Sequence, residues 1–540
     1  MKEYKDIFVD FIKNPKYIVP LIIVAIAGFG YLLTHSTINV DVLSAGRYFE
    51  GTELIAQSRL MGPIIEKIFN VMNYSPFFVD FLAVLFLISA TTLFCTLFKK
   101  IAGKKINIVA YTIFSCLFIS YPLMMEAFTY TPMSLSLALA FNFTVISLIL
   151  ALEYVNFNKI KNLIISTIFI WMAISLYESF ATVYLMGVAS VILIKILYAD
   201  KEKLKLKEHI IFGIKYIIPL AIAIVFNFLI TSAILSIFNI KQSSNPAKKI
   251  SYTIIGLIRG IKYLISTVII DYDISALAYL PITILLACRV ISLIMGTVLS
   301  VKRKDSSIIL IMIAMNLTIL SLSIIQGQSA RYRTCQQFQL FVAVIFMIII
   351  QITLGLNVKK WIKNSIIALT CLVIFYQVKD MYKWEYVNDL RYQKEKQDAI
   401  LIGNEIESKY DYKNKPIVFV GDYDMPSNVK QYICVDTNSL HFKVLKYFVD
   451  NFSIKKIKDI ENYQYTQTNV QSYIEWGITA FINERTPNVE LIKFFNWLGY
   501  DFKLADCSAF TKECKTKDEN PQWPQEGAIY ETEEYIVVNF

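Results

Sequence analysis

Residues 17–61 read YIVPLIIVAIAGFGYLLTHSTINVDVLSAGRYFEGTELIAQSRLM, and this stretch decides the fold of the chain. Its first part, from about Tyr17 to Leu33, is apolar and long enough to cross a bilayer. No small-residue cleavage pattern follows it, so we predict a retained membrane anchor rather than a signal peptide. The second part carries a dense set of ionisable groups: Asp41, Arg47, Tyr48, Glu50, Glu53 and Arg59. A connector between two spans does not need so many such groups beside hydrocarbon, whereas a membrane enzyme does.

The composition of the whole chain indicates a membrane protein. Of its 540 residues, 56% are hydrophobic and only 18% are charged, and the mean hydropathy is +0.50. A soluble protein of this size could not cover its surface with so few charges. The net charge of +10 could suggest nucleic-acid binding. The lysines cluster at the ends of apolar runs, as topology determinants do, so we expect a bilayer partner and no nucleic acid.

The apolar runs predict about eleven transmembrane helices. Besides the first, we place them near 77–98, 106–121, 132–154, 162–178, 180–197, 211–236, 277–298, 307–325, 338–356 and 364–378. With residues 1–16 as an amphipathic helix on the cytoplasmic surface, every predicted inner loop is basic. An odd number of spans then puts the C-terminal region outside the cell membrane.

One further apolar segment, residues 252–270, could be a twelfth span. Arg259 and Lys262 lie near its middle, where a charge is costly, so we predict an interfacial or re-entrant helix instead. Within the eighth span, Arg289 is an exception that would suit a transporter. The simpler interpretation is an arginine that reaches toward the cytoplasmic face.

The chain divides into a polytopic domain, 1–378, and an extracytoplasmic α/β domain, 379–540. In the second we expect strands at 416–421, 478–482 and 535–540 and helices at 385–407, 440–452 and 489–498. Cys507 and Cys514 could form a local disulfide there. Neither a nucleotide-binding motif nor a metal-binding spacing is present, so we expect no cofactor; a need for a divalent cation stays open.

The first span and its loop resemble a known family. An acid near the start of the loop (Asp41), an aromatic-acidic segment (Tyr48 to Glu50) and an arginine (Arg59) before an amphipathic run are similar to the polytopic glucosyltransferases of the glucosyl transferase II type. Those enzymes modify O-antigens and other bacterial surface glycans. In that family the loop arginine often follows a glycine, whereas Ser58 precedes it here.

The resemblance implies an all-α, GT-C-like membrane domain and a set of site residues. The fifth span of the family tends to end in a tyrosine followed by an acid or amide, which nominates Tyr177 and Glu178 for substrate binding. Asp41 lies where multi-span glycosyltransferases carry the first-loop acid, and we predict that it is the catalytic base. Simpler interpretations are a capping or loop aspartate at 41 and a solvated helix-end carboxylate at 178.

Other ionisable groups on the predicted outer face complete the candidate site. The acids include Glu66, Asp80 and Glu126, and we nominate Glu126 for substrate binding although a plain loop acid is the simpler interpretation. The predicted substrate-binding residues are Arg47, Glu50, Arg59, Glu126, Tyr177, Glu178, Arg331 and Arg333. A surplus of outer cations suggests an anionic ligand, and arginine matches phosphate oxygens.

These features predict a membrane hexosyltransferase, with glucose as the expected sugar. The expected donor is a polyprenyl-phosphate sugar, and the expected acceptor is a cell-surface glycan or glycolipid. Alternatives are a surface-polysaccharide polymerase or ligase, a lipid-linked sugar flippase or transporter, and a non-enzymatic scaffold. A transporter would show charged or broken helices at the midplane and internal repeats. The sequence shows no internal repeat.

Overall fold

The structure, a computed structural model, describes residues 2–35, 37, 53–69, 76–128, 131–198, 206–240, 258, 280–326, 334–423, 440–451, 474, 477–478 and 487–540. The chain begins with the amphipathic helix α1 (Lys2–Lys13), followed by α2 (Pro15–Thr34). The next helices are α3 (Glu53–Ala56), α4 (Gly62–Phe69), α5 (Pro76–Ala102), α6 (Ile108–Ile119), α7 (Met125–Phe128), α8 (Thr131–Phe157), α9 (Ile160–Leu176), α10 (Phe180–Tyr198), α11 (Leu206–Ile237), α12 (Leu280–Arg303), α13 (Ser307–Gln326), α14 (Gln337–Gly355) and α15 (Lys360–Lys409).

The predicted polytopic membrane fold is confirmed. Within the described ranges, nine helices are long and apolar enough to cross a membrane, with α6 and α7 counted together. The predicted number of about eleven is not confirmed. Two predicted spans, 162–178 and 307–325, correspond to α9 and α13, which are apolar but give shorter apolar stretches. The segment 252–270 lies outside the described residues apart from Ile258.

The chain forms two compact units. The membrane unit comprises Met1–Thr34, Tyr48–Tyr382 and Val435–Tyr463, and the C-terminal unit comprises His35–Arg47, Lys383–Cys434 and Gln464–Phe540. The predicted domain boundary between residues 378 and 379 stays a prediction. The predicted span 364–378 and helix 385–407 are one continuous helix, α15, because neither proline nor glycine occurs in it before Gly403.

α6 forms the core of the membrane unit. Every residue from Ala110 to Ile119 is buried, and the helix packs against α2, α5 and α14. Aromatic rings continue this core, since Phe118 contacts Phe141 and Phe141 contacts Phe180, with centroids 5.2 and 4.8 Å apart. Large apolar side chains are exposed on α2 and α11, as lipid-facing helices require.

The two sides of the membrane unit differ in charge. On the side where α1 packs against α5, which we call the lysine side, the described basic residues include Lys99, Lys100, Lys104, Lys105, Lys159, Lys161, Lys302, Arg303, Lys304, Lys359, Lys360 and Lys363. α1 docks there through a hydrogen bond from the Tyr4 hydroxyl to Glu153 at 3.0 Å and an ion pair between Glu3 and Lys100. The opposite side, where α2 ends, is called the loop side.

The C-terminal unit contains a small mixed sheet. Its strands are β1 (Ile417–Val420), β2 (Ile529–Glu531) and β3 (Ile536–Asn539), and β3 is central, parallel to β1 and antiparallel to β2. α17 (Val489–Trp497) and α18 (Cys507–Glu513) also belong to this unit, whereas α16 (Leu440–Asn451) belongs to the membrane unit. The predicted strand at 416–421 and its glycine turn are confirmed, since Gly421 has a φ of 92°.

The structure differs from two expectations for the C-terminal region. Within the predicted strand 478–482, Ile478 is helical, and residues 479–482 lie outside the described ranges. Cys507 and Cys514 are free thiols at the two ends of α18. Seven helical residues separate them by about 10 Å along the axis, which exceeds the reach of a disulfide.

Candidate functional site

Two predicted site residues that lie far apart in the sequence meet on the loop side. The guanidinium carbon of Arg59 lies over the ring of Tyr177, 4.8 Å from its centroid. Tyr177 is the residue that caps the C-terminal end of α9, and both side chains are half-buried. A cation at this distance from an aromatic face is attracted by the ring quadrupole, so the tyrosine fixes the arginine side chain in place.

The backbone before Arg59 forms a helix C-terminal motif. The Arg59 amide donates to the Leu54 carbonyl at 2.8 Å, and the Ser58 amide donates to the Ile55 carbonyl at 2.9 Å. Ser58 has a φ of 62°, in the left-handed region. This pair of hydrogen bonds around a left-handed residue is a Schellman motif. It ends the short helix α3 and fixes the direction of the backbone at Arg59.

The segment that carries Arg59 is anchored to two membrane helices. The Met61 amide donates to the Ser175 carbonyl near the end of α9, at 3.3 Å. Ser175 in turn donates through its hydroxyl to Asn227 Oδ1 of α11, at 2.8 Å, and both side chains are buried. Hydrogen bonds therefore connect the segment that carries Arg59 to α9, and α9 to α11.

The two nominated glutamates that the structure describes have opposite environments. Glu178 is exposed, next to Tyr177 in the turn between α9 and α10. Glu126, in α7, is only 4% exposed, so the interpretation as a plain loop acid is wrong. Glu126 lies near Cys335: burial, together with a smaller contribution from the glutamate charge, raises the pKa of the Cys335 thiol to about 12. The described residue nearest in sequence to Arg331 and Arg333 is Thr334.

Asp80 lies near the start of α5 on the loop side, as predicted, but its side chain is buried rather than facing the interface. Its side chain is 2% exposed between α5 and α8, and the Ser134 hydroxyl donates to Asp80 Oδ1 at 2.8 Å. Sequence reasoning missed this pair because the apolar run around Asp80 shows how deep the residue lies but not which helix covers it.

The remaining nominated residues cannot be placed in this way. Asp41, Arg47, Glu50, Arg331 and Arg333 lie outside the described residues. The beginning of the loop that carries Asp41 is described at Thr37, whose hydroxyl oxygen accepts a hydrogen bond from Asn388 of α15 at 2.7 Å. Asn388 also accepts from Arg391, which forms a buried ion pair with Glu395 at 2.9 Å.

The described groups on the loop side could bind an anionic ligand. Arginine forks bind phosphate oxygens, and aromatic faces such as that of Tyr177 bind apolar or cationic groups. Within the described ranges, no cluster of three or more histidine, cysteine, aspartate or glutamate side chains could hold a metal ion.

Comparison with known proteins now identifies the family. The model of the family described as Glucosyl transferase GtrII matches residues 30–352, more than half of the chain. The chain belongs to the GtrII glucosyl transferase family. It is therefore a glycosyltransferase embedded in a membrane by multiple apolar helices. No curated protein and no solved structure matches the chain.

The GtrII match covers the whole candidate site. It begins within α2, ends within α14 and includes all nominated residues from Asp41 to Arg333. The backbone conformation at residue 58 gives a physical reason for the glycine that often precedes the loop arginine in the family. Because the residue before Arg59 takes a left-handed conformation, glycine is favoured there, and Ser58 adopts it at a cost of about 1 kcal/mol.

Proposed function

We propose that this GtrII protein transfers glucose from a polyprenyl-phosphate donor to a surface glycan or glycolipid on the outer face of the cell membrane. The observation that carries the proposal is the family match over residues 30–352, within which Arg59 and Tyr177 meet at one end of the helix bundle. A lipid-linked donor suits a site at the end of apolar helices, because its phosphate lies at the membrane surface while its apolar chain stays in the bilayer.

The proposed reaction needs one carboxylate and several cations. The acceptor hydroxyl attacks the anomeric carbon, and the bond from that carbon to the phosphate oxygen breaks. Asp41 accepts the hydroxyl proton as the new glycosidic bond forms, so the acceptor oxygen gains nucleophilicity in the transition state. The leaving lipid phosphate gathers negative charge, which Arg47, Arg59, Arg331 and Arg333 offset.

Tyr177, Glu178, Glu126 and Glu50 are proposed to bind the sugar and the acceptor. Glu178 is exposed and can accept hydrogen bonds from sugar hydroxyls. The face of the Tyr177 ring contacts the Arg59 guanidinium. The buried position of Glu126 suits a carboxylate that organises the site rather than one that meets bulk water.

The orientation is proposed from the charge of the two sides. The described basic residues concentrate on the lysine side, and the positive-inside rule then puts this side in the cytoplasm. The loop side and the C-terminal unit would face outward. Membership of a glucosyl transferase family favours transfer over the flippase or transporter and over a polymerase or ligase.

The donor can be tested directly in isolated membranes that contain the protein. Radiolabelled glucose would be supplied either as polyprenyl-phosphate glucose or as nucleotide-linked glucose, with surface glycan as acceptor. The proposal predicts labelled glycan from the lipid-linked donor in membranes with the protein and none in membranes without it. Label that enters glycan only from the nucleotide donor, in membranes depleted of polyprenyl phosphate, would contradict the proposed donor.

A further inference from the structure

A buried amide side chain lies within an apolar stretch of α11. Asn227 stands in the sequence IAIVFNFLITSA, residues 222–233, and it is only 7% exposed. Its neighbours Phe226 and Phe228 are 45% and 64% exposed, as expected for a helix with a lipid-facing side. Polar side chains in membrane helices form hydrogen bonds across helices, because hydrocarbon offers them no partner. No step of the proposed reaction uses Asn227.

Asn227 is bound to the last turn of α9. Its Oδ1 accepts a hydrogen bond from the hydroxyl of Ser175, the residue before the last one of α9, at 2.8 Å. The Ser175 side chain is fully buried. Since α9 and α11 pack against each other, this hydrogen bond fixes the end of α9 relative to α11.

The same turn of α9 holds the segment that carries Arg59. The last carbonyl groups of a helix have no partner within the helix. One of them, the Ser175 carbonyl, accepts from the Met61 amide at 3.3 Å. Two residues later, Tyr177 ends α9, and the Arg59 guanidinium carbon lies 4.8 Å from its ring centroid. The position of Arg59 therefore depends on the position of this helix end.

α11 also contacts the chain that precedes Arg59. The short helix α3, which ends three residues before Arg59, packs against α11. Thus α11 supports Arg59 through α3 and supports Tyr177 through the Asn227–Ser175 hydrogen bond. Asn227 is the side chain through which α11 determines where Tyr177 meets the arginine.

We propose that Asn227 is a positioning residue for Arg59. Through Ser175 it holds the last turn of α9, so that Tyr177 and Met61 keep the guanidinium where the leaving lipid phosphate gathers charge. Asn227 acts through these residues and not on the donor or acceptor, and its effect on catalysis rests on the proposed function. Because Arg59 acts mainly on charge that develops in the transition state, loss of Asn227 should lower kcat more than it raises KM.

The first test measures kcat and KM for transfer from radiolabelled polyprenyl-phosphate glucose in membranes. Asn227→Leu and Ser175→Ala each remove the hydrogen bond. Each should lower kcat roughly threefold to fifteenfold, the range that corresponds to interhelical hydrogen bonds in membranes, with KM for the donor nearly unchanged. The double variant should lose little more than the larger single effect, because both changes remove the same bond.

A background without the arginine separates positioning from a general loss of stability. In Arg59→Gln, the further change Asn227→Leu should not lower kcat, since no arginine is left to position. A variant that only weakens the fold would lower transfer in this background as well. Thr231→Val is the matched control: Thr231 lies one turn further along α11, is 4% exposed, and its hydroxyl has no hydrogen-bond partner among the described residues. This control should transfer as the wild type does.

The second test does not depend on the donor. Hydrogen–deuterium exchange of the full-length protein in lipid nanodiscs follows peptides that cover residues 54–62, which include the Met61 amide. Asn227→Leu should speed exchange in this segment roughly threefold or more, and exchange in α6 should stay as in the wild type. Thr231→Val should change neither.

The two tests fail in different ways. Unchanged exchange at residues 54–62 and unchanged kcat in Asn227→Leu would overturn the inference. An equal loss in Thr231→Val, or a further loss in the Arg59→Gln background, would overturn it too. If the wild type transfers no glucose, the proposed donor is wrong, and the exchange result alone then decides whether Asn227 holds the Arg59 segment.

Discussion

The contact between Arg59 and Tyr177 can be tested by a double-mutant cycle. If Tyr177 holds Arg59 in the position where it acts on the donor, Tyr177→Leu releases the arginine and lowers kcat/KM for glucosyl transfer. Arg59→Gln removes the charge and lowers kcat/KM directly. In the double variant the two losses overlap, since the tyrosine has no arginine left to hold.

The structure sets the size of this coupling. The Arg59 guanidinium carbon lies 4.8 Å from the ring centroid, and both side chains are half-buried. Cation–π pairs contribute roughly 0.5–1 kcal/mol at exposed sites and about 2 kcal/mol when desolvated, so we expect about 1 kcal/mol here. This free energy corresponds to about a fivefold difference between the double variant and the product of the single effects.

The assay compares kcat/KM for the wild type, both single variants and the double variant in the same membranes, normalised to protein level. Tyr177→Phe is the matched control, because it keeps the ring face and should keep most of the activity. Single effects that multiply, with a coupling below about 0.4 kcal/mol, would refute the role of the contact. Equal losses in Tyr177→Phe and Tyr177→Leu would show that the hydroxyl, not the ring, matters.

Three further predictions concern the backbone, the buried charges and the orientation. Ser58→Gly should stabilise the protein by roughly 0.5–1 kcal/mol, seen as a higher unfolding midpoint, because glycine takes the left-handed conformation without strain; an unchanged or lower midpoint would contradict the assigned backbone conformation. Glu395→Gln should destabilise by about 3–5 kcal/mol, since Arg391 would keep a buried charge without its carboxylate, and Arg391→Met combined with Glu395→Leu should recover much of the loss in denaturant titrations. A membrane-impermeant maleimide applied to intact cells at pH 8 should modify the exposed Cys507 and spare the buried Cys335, whose thiol pKa is raised to about 12. Labelling that Cys507→Ser does not reduce, or that requires permeabilised cells, would argue against an outward C-terminal unit.

The membrane helices could be predicted because hydropathy acts locally. Each apolar run that the sequence predicts as a span corresponds to a helix, although two of these helices have short apolar stretches. The continuity of α15 was not predicted, because the change from apolar to charged residues after Val378 resembles a domain boundary. Helix propensity, however, persists through this change in polarity, so the backbone continues as one helix.

The site was only partly predictable. Arg59 and Tyr177 were nominated separately, one from the loop and one from the end of a span, but their contact depends on how the segment around Met61 is bound to the end of α9. The burial of Asp80 and Glu126 is likewise a tertiary property, set by neighbouring helices that a sequence pattern does not name. The left-handed backbone at Ser58 was not visible either, since serine gives no sign of it and only the family pattern points to glycine.

The central claim is that this GtrII protein transfers glucose with Asp41 as its base, and one comparison tests it most directly. Transfer from radiolabelled polyprenyl-phosphate glucose to surface glycan would be measured in membranes with the wild type, Asp41→Asn and, as a matched acid on the same side, Glu178→Gln. Membrane insertion of all three would be checked by protease accessibility. The account predicts transfer by the wild type, a loss of at least about a hundredfold in correctly inserted Asp41→Asn, and a smaller effect in Glu178→Gln. Transfer by Asp41→Asn at the wild-type rate would contradict the role of Asp41, and no transfer by the wild type would contradict the proposed donor.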